Sequence, residues 1–136
     1  MPDTTSPVFR GSCPRRTMPH HTSSPAWLIS ENISVIMANG HTEKMMIPHI
    51  QYQDKTIVFC ADLIPTAGHL PLPYVMGYDT RPLLTMPEKS KFLTSAAENN
   101  YFLWLEHDAH NQIITVEMTE KGVRIKEVFR CEDVLI

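Results

Sequence analysis

The sequence predicts a mixed α/β fold in which a helix over residues 87–99 crosses over to return a parallel strand to the same sheet. Three observations carry that prediction. Apolar, β-rich runs stand at 33–38, 56–61 and 101–105. A single helical stripe, Phe92, Leu93, Ala96 and Ala97, lies between the last two runs, where a crossover connection belongs. Two alternating segments, 112–118 and 123–129, follow and pair as a hairpin across Glu120-Lys121-Gly122.

Each element has a local cause. Residues 1–26 hold five of the eleven prolines with many Ser and Thr, plus Arg10, Arg15 and Arg16 against Asp3. Prolines at that density remove backbone donors and break helices, so we expect a flexible tail, with His20 and His21 solvated within it. It has no apolar stretch of the kind a secretory signal needs, and it cannot easily form the amphipathic helix of a transit peptide. The folded domain spans 27–136. Strand 33–38 ends at Asn39-Gly40, a turn signal, and 45–53 is a second strand in which Pro48 marks an edge or a bulge. Gln53-Asp54-Lys55 connects it to 56–61, a run suited to burial on both faces. Residues 63–87 are proline-rich and aperiodic and read as a long ordered loop. Thr85 and Glu88 stand at capping-box spacing, Pro87 suits a first helical turn, and Asn99-Asn100 stops the helix. Strand 101–105 should be buried.

Composition sets the outer limits. The chain has 136 residues, 43% of them hydrophobic and 20% charged, which suits one domain with a buried core. A formal net charge of -3 speaks against a nucleic-acid partner, whose footprint should be basic; the tail arginines are weak support for one. No apolar stretch approaches the roughly 18 residues that cross a bilayer, so no membrane role is expected. Cys13, Cys60 and Cys131 are odd in number and widely spaced, with no C-x-x-C pair. They point to a reducing compartment, the cytoplasm, with Cys60 as a small buried hydrophobe.

Three strands are followed almost at once by a residue able to bind metal: His41, Asp62 and His107. If the first three runs go up, down and up, His41 and Asp62 leave the sheet at one edge. The crossover then brings His107 to the same edge. Two imidazoles and a carboxylate there would suit zinc, manganese or ferrous iron. Taken alone the pattern is weak, since seven histidines are spread along the chain.

The words around these residues add to it. Asn39-Gly40-His41-Thr42, then Phe59-Cys60-Ala61-Asp62-Leu63-Ile64-Pro65-Thr66, then Glu106-His107-Asp108 resemble the second half of the metallo-β-lactamase fold hydrolases, in the family's order and at fitting separations. The loop from Pro71 to Asp79 looks like the lid-side loop of one bacterial branch. The resemblance runs from about Ile33 onward. It implies part of an αββα sandwich with a two-metal site between sheets, with zinc, Mn2+ or Fe2+ as the metal. His41 would bind the first metal, Asp62 would bridge both and His107 would bind the second. The small-molecule substrate would be an ester, lactone, amide or thioester. His69 either assists the leaving group or fixes the Pro71–Pro73 turn. His49 and His110 are expected at the surface, and Tyr74 and Tyr78 packed beneath the loop.

The family's H-x-H-x-D-H block does not occur in this sequence, and His20-His21-Thr22-Ser23 does not match it. The implied fold is therefore half of the sandwich, holding at most one weakly bound metal. A catalytically inactive remnant or an interaction module stands as the alternative to a working hydrolase. A sheet built to face another would expose apolar groups such as Ile57, Val58 and Phe59, and would favour self-association.

Overall fold

The computed structural model describes residues 26–136, so the expected tail lies, apart from Ala26, outside the described residues. Seven strands form one sheet: β1 (Trp27–Ser30), β2 (Ile33–Ala38), β3 (Met45–Tyr52), β4 (Lys55–Phe59), β5 (Phe102–Trp104), β6 (Ile113–Thr119) and β7 (Gly122–Phe129). They lie side by side in chain order. Every neighbouring pair is antiparallel except β4 and β5, which run parallel. The single parallel pair is joined by helix α1 (Pro82–Glu98), the crossover that the stripe of apolar residues requires. A short α2 (Cys131–Val134) closes the described chain.

Strand alternation divides the apolar residues between two faces. On one, Ile47, Val58, Leu103 and Ile114 pack with Phe92, Leu93 and Ala96 of α1, and Cys60 is buried among them. On the other, Ile57, Ile113 and Val134 are buried beside Ile50, Phe102, Trp104 and Phe129. The Tyr52 hydroxyl donates to the Leu135 carbonyl at 2.9 Å and ties the C-terminal turn over that second face. The expected exposure of Ile57 and Val58 is therefore corrected: both are buried, Val58 on the α1 side and Ile57 beside Val134 of α2. Phe59 stays half-buried, edge-on to Trp104.

The helix starts at Pro82, five residues before the expected 87, and Pro87 lies inside it. Pro82 occupies the first turn, where a missing N–H costs nothing. Pro87 forgoes a bond to the carbonyl of Leu83, an exposed residue in the first turn of the helix. Thr85 and Glu88 accordingly do not cap α1. Glu88 instead receives the backbone N–H of Asn39 on Oε1 at 2.8 Å and of Gly40 on Oε2 at 2.9 Å. Thr85 presses so closely on Gly40 that a Cβ there would collide with the Thr85 backbone, which is why glycine is needed at this turn.

Two further expectations are corrected. His49 is buried, not at the surface: the β3 alternation that places Ile47 under α1 places His49 there too, edge-on to Phe92 and Tyr101. Burial pulls its pKa down, against a hydrogen bond from Nδ1–H to the Ile47 carbonyl at 3.0 Å. Tyr74 and Tyr78 are 60% and 84% exposed rather than packed under the loop. The space beneath belongs to Lys89, whose ammonium donates to the carbonyls of His69, Pro71 and Tyr74 at 2.9, 3.0 and 2.7 Å. With the loop's backbone turned inward to satisfy Lys89, its aromatic rings face out.

Candidate metal centre

β2, β4 and β5 each deliver one polar side chain to the same rim of the sheet. His41 follows β2 in the turn that Glu88 holds. Asp62 lies in a 3-10 turn, Ala61–Leu63, directly after β4. Ala61 has φ 46°, the left-handed conformation that L residues disfavour, and this bend takes the chain off the strand axis just before Asp62. His107 follows β5, with its N–H bonded to the Pro65 carbonyl at 3.0 Å.

The three side chains meet. His41 Nε2 is 3.2 Å from Asp62 Oδ2, and His107 Nε2 is 3.1 Å from Asp62 Oδ1. Each imidazole thus faces its own oxygen of one carboxylate. Asp62 Oδ1 is enclosed and receives no well-aligned hydrogen bond. The other nitrogen of His41, Nδ1, lies 2.8 Å from Oδ1 of Asp79, whose side chain is 1% exposed. A carboxylate can only accept, so the Nδ1–H donates to Asp79 and the ring is held with Nε2 directed at Asp62. A carboxylate behind an imidazole in this way orients the ring and strengthens it as a donor to metal.

The neighbouring turns are braced by Asp108. Its Oδ2 accepts the Ala67 N–H at 2.9 Å and its Oδ1 accepts those of His110 and Asn111 at 3.0 and 2.9 Å. Desolvation pushes its carboxyl up, but these bonds together with the Asn111 amide outweigh it and hold the pKa down to about 2. His110 itself is exposed, as expected. His69 ends a second 3-10 turn, Ala67–His69. Its Nδ1 is bonded to the Thr66 hydroxyl at 2.8 Å and its carbonyl to Lys89, so its hydrogen bonds do not run to His41, Asp62 or His107. Burial and the Lys89 charge lower the His69 pKa, with Asp79 opposing.

Four contributors were not legible as such in the sequence: Asp79, Glu88, Lys89 and Glu106. An oxygen of Glu106 lies with Asp62 and His107 in a group of ligand atoms within 4.8 Å of one another. Lys89 did leave a trace, because it stands three and four residues before Phe92 and Leu93 on the apolar stripe. The centre itself is open. A cleft between the β6–β7 end and α2, lined by His110, Gln112, Phe129 and Arg130, includes none of the three side chains.

No protein-family model and no curated protein matches the sequence. Solved structures do match the fold. A probable metal-dependent hydrolase from Staphylococcus aureus is 22% identical with a TM-score of 0.66, over 78% of this chain and 38% of its own. AidC, a dizinc quorum-quenching lactonase solved with N-hexanoyl-L-homoserine as product, is 18% identical with a TM-score of 0.65, over 76% and 36%. The hydrolase AbOPH of the β-lactamase superfamily is 17% identical with a TM-score of 0.64, over 74% and 36%. The chain therefore shares its fold with metal-dependent hydrolases of the β-lactamase superfamily and spans little more than a third of their length.

Proposed function

We propose that this chain carries the metal-binding rim of a metal-dependent hydrolase, with His41, Asp62 and His107 as ligands. The observation that supports it best is His41 held between two carboxylates, Asp79 at 2.8 Å and Asp62 at 3.2 Å. With Nδ1 turned to Asp79, Nε2 faces an oxygen of Asp62, and a cation between them would be held by both. Zinc suits two imidazoles and a carboxylate, with Mn2+ or Fe2+ next. A bound divalent cation would supply an activated water and polarise the acyl oxygen of an ester, lactone, amide or thioester. Among these, the lactone is favoured by the fold shared with AidC. Asp79 orients His41, and Asp62 offers one oxygen to each imidazole. His69, with Nδ1 engaged by Thr66, keeps Nε2 for a leaving group.

Metal content by mass spectrometry, followed by esterase and lactonase turnover with chelator controls, tests the reading. Stoichiometric metal in the wild type, lost in His41→Ala and Asp62→Ala together with turnover, is the expected result. A wild type that takes up no metal overturns it. A second reading, an inactive remnant or interaction module, is favoured by the absence of an H-x-H-x-D-H block from these 136 residues. It predicts no turnover, and stoichiometric absence of metal would support it.

We further propose a cytoplasmic setting, in keeping with the free Cys60 and Cys131. Self-association would use β1, an edge strand among the described residues that exposes Trp27, Leu28 and Ile29.

A further inference from the structure

We propose that Glu106 is a metal ligand in its own right, and that Asp62, Glu106 and His107 form a cation site within the described residues. This rests on the metal-centre reading and adds a ligand to it. One oxygen of Asp62, one of Glu106 and one nitrogen of His107 lie within 4.8 Å of one another. Glu106 and His107 are both exposed, and the ligand atoms around one such ion stand about 2.1 Å from it.

Three observations support a ligand role over a solvated carboxylate. The backbone on both sides of Glu106 is fixed: the Leu105 N–H is bonded to the Gln112 carbonyl and the His107 N–H to the Pro65 carbonyl, each at 3.0 Å. Glu106 therefore cannot drift from the Asp62 turn, and its only freedom is side-chain rotation. The charge around it is unbalanced. Asp62 and Glu106 place two carboxylates together, and Glu106 makes no ion pair among the described residues. Lys89, on α1, is committed to three carbonyls of the loop that follows Asp62. Finally, Asp62 Oδ1, with His107 Nε2 3.1 Å away, is enclosed yet receives no well-aligned hydrogen bond. A cation satisfies that oxygen and the charge excess in one step.

The ligand set makes the site selective. Two carboxylates and one imidazole are harder than two imidazoles and one carboxylate, which shifts preference from zinc toward Mn2+. His41, on the Oδ2 side with Asp79 behind it, stands outside this set.

The test is the binding of Zn2+ and Mn2+ to the full chain by competition with a chromophoric chelator, with the Mn2+ arm repeated by electron paramagnetic resonance. Glu106→Gln is expected to weaken Mn2+ binding on the order of tenfold or more, and Zn2+ binding by less. Glu106→Asp, which keeps the charge on a shorter arm, falls between. Glu98→Gln, remote at the end of α1, leaves both unchanged. Thermal melting of Glu106→Gln should match the wild type, since the side chain is exposed. Glu106→Gln binding both ions as the wild type does, while Asp62→Ala abolishes binding, overturns the role of Glu106 and leaves the metal centre standing. A wild type that binds neither ion overturns both.

Discussion

His41 is a single residue whose chemistry is set by groups far away in the chain. Asp79 accepts from Nδ1–H and orients the ring, Glu88 fixes the turn, and Asp62 faces Nε2. Asp79→Ala should leave the fold in place and lower metal affinity about 10- to 100-fold, read by calorimetric titration with Zn2+. Asp108 acts on the other side. Its folded pKa of about 2 lies below the 3.8 expected of a free aspartate, so its stabilisation is complete above that value and is lost as pH falls through the window between them. Acid unfolding followed by circular dichroism should show a step there that Asp108→Asn removes. His41, Asp62 and His107 were legible because each follows an apolar run directly. Asp79 and Glu88 were not, since a carboxylate in a loop or a first helical turn has many commoner uses.

At the scale of elements, α1 does more than bridge two parallel strands. Thr85 packs on Gly40, Glu88 caps the turn before His41, and Lys89 holds the loop that carries His69, so adjacent positions on one helix brace both sides of the rim. Gly40→Ala should force Thr85 and its helix turn away, at a cost of about 1–3 kcal/mol in urea unfolding, with metal affinity reduced alongside. The sequence placed the helix but misjudged its start. Pro87 looked like an opening residue, yet Pro82 takes that position and Pro87 lies inside the helix, one turn after the exposed Leu83. The strands were easier to read, because alternation and β-branched content report directly on a pleated, half-buried surface.

Across the whole molecule, α1 covers one face of the sheet, while α2 and the C-terminal turn cover only part of the other. β1 then stands at an edge with Trp27, Leu28 and Ile29 all exposed. A charge at that edge should oppose strand addition, so Leu28→Lys is expected to shift the chain toward monomer in sedimentation measurements without lowering its melting temperature. Apolar spacing and turn residues were enough to read six of the seven strands and the crossover, while β1 and α2 went unread; with the family resemblance beside them they singled out three candidate ligands, since each depends on neighbours a few positions away. The inward His49, the outward Tyr74 and Tyr78, and the partners Asp79, Lys89 and Glu106 came to light only with the folded chain. They depend on which backbone carbonyls and carboxylates the sheet and helix bring within hydrogen-bond reach across tens of residues, and no local pattern encodes that distance.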